Sequence, residues 1–484
     1  MKIFICLMVC ALLLPCCTKK ESPYGLKYPA LKFSPPALVP ARYTLDNGVT
    51  AFIVEDNKLP VLDLHARFKT GGLMESASEK GLASMTADLL EEGGLKSVTA
   101  DSLDELLEFH AIDISADADF TGAMVSLSCL TEKTDLGLDL FNRVLREPAF
   151  EEKKLALAKA REIEGIRHRY DAPAGTLRIA GRYTLYGRNA WTEQLSESDV
   201  NKMNRDALLK FYQAHFRPEN MIIGVSGRFD AKEMLKKLNS TIGTWKKSGN
   251  AEAVFPKLPV DYKKRFNFIE KDINQAYVRV GIPLFLQRPN PDYYPVILMN
   301  WVLGGASFTS RISKKVREQE GLAYDVGSSV SCEYFYPGSF NVILQTKSAS
   351  TAYAIDLIFK EIRSFLKSGA LDTELAAGKQ SLIDAFPSAF QNGNKVARAF
   401  SYNQYVKETD DNIDQYCARI RAVTLADVKR VAETYVKPES LSLCIVGKFA
   451  ECEKGDGTHK AKLADFGNAA RMTEKELNKA LGGE

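Results

Sequence analysis

Histidine is scarce in this chain. Five occur in 484 residues, His65, His110, His168, His215 and His459, and no two stand four positions apart. A helical zinc site needs two histidines one turn apart on one face, so that arrangement is excluded. Cysteine offers no substitute. Nine are present, none spaced as CxxC, and five remain beyond residue 17. An odd number without paired spacing excludes a full disulfide framework and a cysteine zinc site. Cys129, Cys332 and Cys444 lie in apolar, strand-like stretches and read as buried free thiols. A charge excess is lacking too, since 64 Lys and Arg face 61 Asp and Glu with no long basic block. Nucleic acid is therefore not an expected partner, nor is a polybasic membrane surface. No Gly-x-Ser-x-Gly elbow and no evident Cys/His pairing exist, which argues against a self-sufficient hydrolase.

What is present fits a multi-domain globular protein. Apolar residues make up 45% and charged residues 26%, which excludes wholesale disorder. At ~100–200 residues per domain, the length calls for two domains or more. Lys2 precedes an uncharged run over residues 3–14. A membrane span needs ~20 apolar residues, so this run reads instead as the core of a secretory signal. It ends in Leu13-Leu14-Pro15-Cys16-Cys17, and a Leu-x-x-Cys ending resembles a bacterial lipobox. Cys17 is the preferred lipidation site, because proline directly before the cut disfavours Cys16; a plain secretory signal with incidental cysteines is the alternative. Residues 1–17 then form the leader. Residues 18–41, with prolines at 23, 29, 35, 36 and 40, form an extended tether.

The body of the chain repeats. Arg217-Pro218-Glu219, followed by an apolar run and Gly227-Arg228-Phe229, recurs as Lys437-Pro438-Glu439 and Gly447-Lys448-Phe449, a constant offset of 220. Each copy follows an amphipathic stretch, 206–214 and 425–435. Pro148-Ala149-Phe150-Glu151 is echoed by Gly369-Ala370-Leu371-Asp372, each opening a helical pattern. Matched segments in the same order imply duplicated domains. Strand alternation over 61–68, 124–130, 276–282 and 339–346, with helical patterns over 83–92, 136–146, 151–169 and 352–367, predicts an α+β fold. Each domain would be a mostly antiparallel sheet packed with helices. The expected domains are 42–247 and 266–450, joined by a linker at 248–265 and followed by a charged tail at 451–484 without an assigned role. Tyr334-Phe335-Tyr336-Pro337-Gly338 reads as a hairpin tip with aromatic packing.

Leu303-Gly304-Gly305, Ser310-Arg311-Ile312 and the run Val316-Arg317-Glu318-Gln319-Glu320-Gly321-Leu322-Ala323-Tyr324 together resemble a signature of the pitrilysin/insulinase zinc peptidases. That family includes the mitochondrial processing peptidases and bacterial heterodimeric homologues. Gly71-Gly72-Leu73-Met74-Glu75 and Glu79-Lys80-Gly81-Leu82-Ala83 resemble the lead-in to the family's zinc helix. The resemblance spans roughly residues 42–450 and implies two duplicated domains forming half of a clamshell. The family's zinc motif is His-x-x-Glu-His, with the Glu as general base. Here the same positions read Ser84-Met85-Thr86-Ala87-Asp88, so Ser84 and Asp88 replace the histidines and Ala87 the base. The third ligand, a Glu 77 positions past the second His, falls on Gly165. Asp88, Glu164 and His168 form the one conceivable substitute set, but Ala87 accepts no proton, so hydrolysis still lacks its base.

Arg317 and Tyr324 match the pair that, in active relatives, faces the zinc and donates hydrogen bonds to the substrate carbonyl and oxyanion. Gly321 should end the helix beginning at Arg311, leaving Arg317 in its last turn and Tyr324 on the next strand. The resemblance thus implies a non-catalytic subunit of a heterodimeric zinc metallopeptidase. This chain would hold no cofactor and no peptidase activity alone. A homologous partner would carry the zinc, and Arg317 and Tyr324 would act in trans on peptide substrates. The alternative is an exported peptide-binding or scaffold protein with no role in hydrolysis. Export places either in the periplasm, anchored to the membrane by the N-terminal lipid. Mass spectrometry of the mature N-terminus should find acylated Cys17, or Cys16 in the other register; an unmodified N-terminus beyond both cysteines would exclude the anchor.

Overall fold

The computed structural model describes residues 33–260 and 262–483. The leader, Cys16, Cys17 and most of the tether lie outside the described residues. Two six-stranded sheets carry the fold. The first contains β1 (Arg42–Thr44), β2 (Thr50–Glu55), β3 (Val61–Phe68), β4 (Asp113–Ala118), β5 (Ala123–Leu130) and β6 (Met221–Gly227) in the order β1-β2-β6-β3-β5-β4. The second contains β7 (Phe266–Glu270), β8 (Gln275–Leu284), β9 (Ala323–Val330), β10 (Gly338–Lys347), β11 (Ser442–Gly447) and β12 (Ala470–Met472) in the order β12-β7-β11-β8-β10-β9. Replacing β2, β6, β3, β5 and β4 by β7, β11, β8, β10 and β9 turns one order into the other, so the repeat is one of topology as well as sequence. Pairing is antiparallel except for β2/β6, β7/β11 and β7/β12. The α+β fold of two duplicated units with mostly antiparallel sheets is thus observed.

Each sheet is buried on both faces, for two different reasons. On one face, local helices such as Leu82–Glu92 and Thr134–Arg146 bury the alternate residues Leu62, Leu64, Ala66 and Phe68 of β3. The other face is covered by a helix from the opposite half of the chain. Pro173–Tyr186 lies on the second sheet, where Leu177, Ile179 and Ala180 meet Ile269, Cys444 and Val446. Gly393–Tyr405 lies on the first sheet, where Val396 and Phe400 meet Phe52. Leu38, at the end of the expected tether, packs into that same cluster.

The exchange is matched residue by residue. Opposite Gly224 on β6, His65 of β3 points at Ser401 of the incoming helix, its Nε2 2.7 Å from the Ser401 Oγ. Opposite Cys444 on β11, Arg279 of β8 lies beneath Gly181 of the other incoming helix. A Cβ at Gly224 would stand 2.2 Å from the His65 ring, and one at Gly181 would stand 2.6 Å from the Arg279 side chain. Large strand residues therefore require glycine beside or above them. The polarity follows the same pairing, since the buried imidazole receives a hydroxyl partner.

The tail has a structural role that its sequence did not reveal. β12 pairs with β7 and occupies the sheet edge that β1 occupies in the first sheet. The following helix, Glu474–Ala480, buries Leu477, with Leu481 just beyond it, in the cluster under Pro173–Tyr186. Glu474 accepts from Lys271 Nζ at 2.7 Å, and the backbone N–H of Gln194 donates to the Leu481 carbonyl at 3.0 Å. The tail thereby ties residues of both halves together. Burial holds the His65 imidazole neutral by pushing its pKa down to about 3. Ser401→Ala leaves that ring nitrogen without its partner, and urea unfolding should show a loss of about 1–3 kcal/mol.

Candidate functional site

The Leu82–Glu92 helix starts where the sequence places the degenerate zinc motif, and buried groups fix its start. The Glu75 carboxylate accepts the backbone N–H groups of Ala83 at 2.7 Å and Gly81 at 2.9 Å. Burial pushes the Glu75 pKa up to about 7, against the pull of those two N–H groups. Gly81 has φ 84°, and a Cβ there would strike Met203 and Leu195. The lead-in residues thus serve to seat this helix.

The ligand positions themselves carry no ligand set. Ser84 is exposed, Asp88 is half-buried, and Ala87 is 1% exposed within the core. Gly165 lies on the neighbouring helix Glu152–His168, where an added Cβ would meet nothing within 4 Å. The charge that matters here is Arg161, which bonds Glu92 at 2.7 Å. Burial pushes the Asp88 pKa up to about 6; Arg161 pulls against this, while Glu162, Glu92 and Glu91 add to it. A guanidinium therefore already supplies positive charge among these carboxylates. His168 is engaged elsewhere, bonded to Glu164 at 2.9 Å and Asp171 at 2.6 Å on an exposed surface. Among the described residues no three His, Cys, Asp or Glu are grouped to hold a metal ion. These residues do not fit zinc.

The second-half motif divides into residues that build and residues that are presented. Arg311 is a builder, bonded through two nitrogens to Glu374 at 2.8 and 2.6 Å and to the Gly369 carbonyl at 2.9 Å. Gly304 permits close approach to β9, since a Cβ there would stand 2.4 Å from the Ser328 hydroxyl. Ser313 donates to the Val326 carbonyl at 2.9 Å, binding the helical segment to the same strand. That segment is α-helical only over Arg311–Ser313 and widens into a π turn over Lys314–Gln319. Gly321, at φ 63°, ends it and releases the chain into β9.

Tyr324 is presented to solvent, with the half-buried Arg317 beside it. The Arg317 guanidinium contacts two aromatic rings, 4.5 Å from the centre of Phe308 and 5.2 Å from that of Tyr324. Tyr324 is 88% exposed, which excludes a role as core, and Phe308 is 59% exposed. Ring faces hold the cation without consuming its N–H donors. Phe308 was not singled out from the sequence; the available signal was an aromatic residue between Gly305 and Arg311. The hairpin tip behaves differently. Phe335 packs on Tyr405 and Phe255, and Tyr336 on Trp191, so these rings bridge segments rather than face outward.

With this geometry in view, the comparisons with known proteins are consistent. The family described as "Insulinase (Peptidase family M16)" matches residues 55–177, and "Peptidase M16 inactive domain" matches residues 202–382. The chain belongs to the peptidase M16 family. Its second half thus matches the family's inactive-type domain, and no His-x-x-Glu-His occurs anywhere in the chain. It is 24% identical to the "Non-peptidase homolog YmxG" of Helicobacter pylori, over 81% of this chain and 90% of that one. The peptidase M16 inactive domain of Pseudomonas fluorescens shares its fold at a TM-score of 0.76, with 22% identity over 84% of this chain and 97% of that one. The periplasmic protease PqqL of Escherichia coli does so at 0.74, with 15% identity over 84% of this chain and 45% of its own. Elemental analysis of the purified protein should find far less than one zinc per chain; about one tightly held zinc would overturn this reading of the Asp88–Arg161 cluster.

Proposed function

We propose that this chain is the non-catalytic subunit of a heterodimeric zinc peptidase, closing the partner's cleavage chamber. The observation that carries the reading is the half-buried Arg317 guanidinium, lying over the Phe308 and Tyr324 rings beside the exposed Tyr324 phenol, in a chain whose positions matching the family's metal motif are Ser84, Asp88 and Gly165. The base position, Ala87, is equally unable to serve hydrolysis. A homologous partner supplies the zinc and its activated water. This chain supplies hydrogen bonds to the peptide carbonyl and to the oxyanion that forms as water attacks. The Arg317 fork donates two N–H groups in a fixed plane, and the Tyr324 phenol donates one O–H. Donors aimed at developing charge lower the barrier more than they tighten substrate binding.

The leader and Cys17, or Cys16, place the assembly outside the cytoplasm, anchored by lipid on the periplasmic side of a bacterial membrane. Several acyl chains make such an anchor stable where one does not. Among the described residues no helix is long and apolar enough to cross a membrane. Mixing this chain with its zinc-bearing partner should give peptide cleavage far above that of either chain alone. Tyr324→Phe and Arg317→Lys should each lower the kcat of the pair by ~10²-fold or more, with the complex intact by size exclusion. Unchanged kcat in both variants would reject the in-trans role in favour of a peptide-binding or scaffold protein.

A further inference from the structure

Beneath the Pro173–Tyr186 helix, a cavity of about 580 Å³ lies against β8, β9 and β10. Its walls are largely apolar, with Leu177, Tyr277, Ile343 and Leu344 among them, but two arginines, Arg178 and Arg279, also line it. Arg279 uses its Nε to bond the Asn341 side chain at 2.7 Å, and it lies beneath Gly181. Arg182 stands one helical turn beyond Arg178, over the Trp191 ring at 4.7 Å, and donates to the Trp191 carbonyl at 3.2 Å. Burial and the nearby Arg178 and Arg279 hold the Arg182 pKa down, and burial does the same for Arg279. None of these three arginines is in an ion pair among the described residues. Asp325 is the single acidic residue in the cavity wall, and it adjoins Tyr324 on β9. Arg178 is exposed at the rim, whereas Arg182 and Arg279 are half-buried, and such guanidiniums without carboxylates are costly unless an anion completes them.

We propose that this cavity binds a carboxylate carried by the peptide substrate, through Arg178 and Arg279. The source is an Asp or Glu side chain or the peptide's own C-terminal carboxylate. The apolar walls take the adjoining aliphatic part of the peptide, while the surplus positive charge selects the anion. β9 forms one wall and carries Tyr324, so a bound peptide continues along that strand toward Arg317. The inference rests on the peptide-binding reading above, but not on the in-trans chemistry.

Fluorescence anisotropy on the purified protein alone tests it with three labelled ten-residue peptides of one backbone sequence. One carries a central Glu and an amidated end, the second Gln and an amidated end, and the third Gln and a free C-terminal carboxylate. Binding of the first or third about tenfold tighter than the second is expected, as charge-assisted hydrogen bonds give. The tighter of the two names the source. Arg279→Gln should abolish the discrimination, and Arg178→Glu, at an exposed position that folding tolerates, should weaken it about tenfold. Equal affinity for all three peptides, or binding of none, overturns the proposal. If the pair's turnover depends on Arg317 and Tyr324 while no carboxylate preference is found, only this inference falls. The reverse outcome removes only the in-trans reading.

Discussion

The face of each sheet that its local helices leave bare is covered by a helix from the other half of the chain, and the rest of the structure depends on that exchange. A sheet face carrying Phe52, His65 and Ile222, or Ile269, Arg279 and Cys444, exposes too much apolar surface to stand in water. Gly393–Tyr405 and Pro173–Tyr186 remove it reciprocally. The contacts are specific: Ser401 satisfies a buried imidazole, and Gly181 makes room for a buried guanidinium. Neither half therefore has a complete core without the other. The tail adds a second tie at the edge of the second sheet through β12 and Leu477.

Within this rigid arrangement, the two halves of the motif diverged in opposite directions. At the Leu82–Glu92 helix, Glu75 and Gly81 fix the start, and Arg161 pairs with Glu92 beside Asp88. Burial between two helices makes the Asp88 carboxyl resist ionisation, and the neighbouring Glu162, Glu92 and Glu91 add to that resistance. Arg161, paired with Glu92, supplies the positive charge that pulls the other way.

The second-half motif keeps its presentation. Gly304, Ser313 and Arg311 lock the helical segment to β9 and to its neighbours, and the π turn carries Arg317, half-buried, to the side of the Phe308 and Tyr324 rings. A long side chain on an exposed turn samples many rotamers. Contact of its guanidinium with the Phe308 and Tyr324 rings lowers that freedom in advance, so less entropy is lost when a ligand binds. The aromatic hairpin tip at Tyr334 to Tyr336 does the contrary job of joining segments, and its rings are spent on Tyr402, Tyr405 and Trp191.

Periodicity and punctuation are local, and for that reason much was legible without coordinates. Helical patterns at 83–92, 136–146, 151–169 and 352–367 correspond to helices Leu82–Glu92, Thr134–Arg146, Glu152–His168 and Thr351–Ser368. The offset of 220 fixed the duplication, and the substitutions at Ser84, Ala87, Asp88 and Gly165 were read directly. Partnership across the chain was not legible. Nothing in the sequence near Pro173 or Gly393 says which sheet a helix will cover, because an amphipathic pattern states that a face is buried and not against what. The same holds for Phe308 beneath Arg317, for Arg161 among the acidic residues and for the tail strand beside β7. Sequence by itself determined the elements, their repetition and the absence of a His-x-x-Glu-His run; tertiary structure alone decided which distant side chains meet, because those contacts depend on the sum of all packing rather than on any local run of residues.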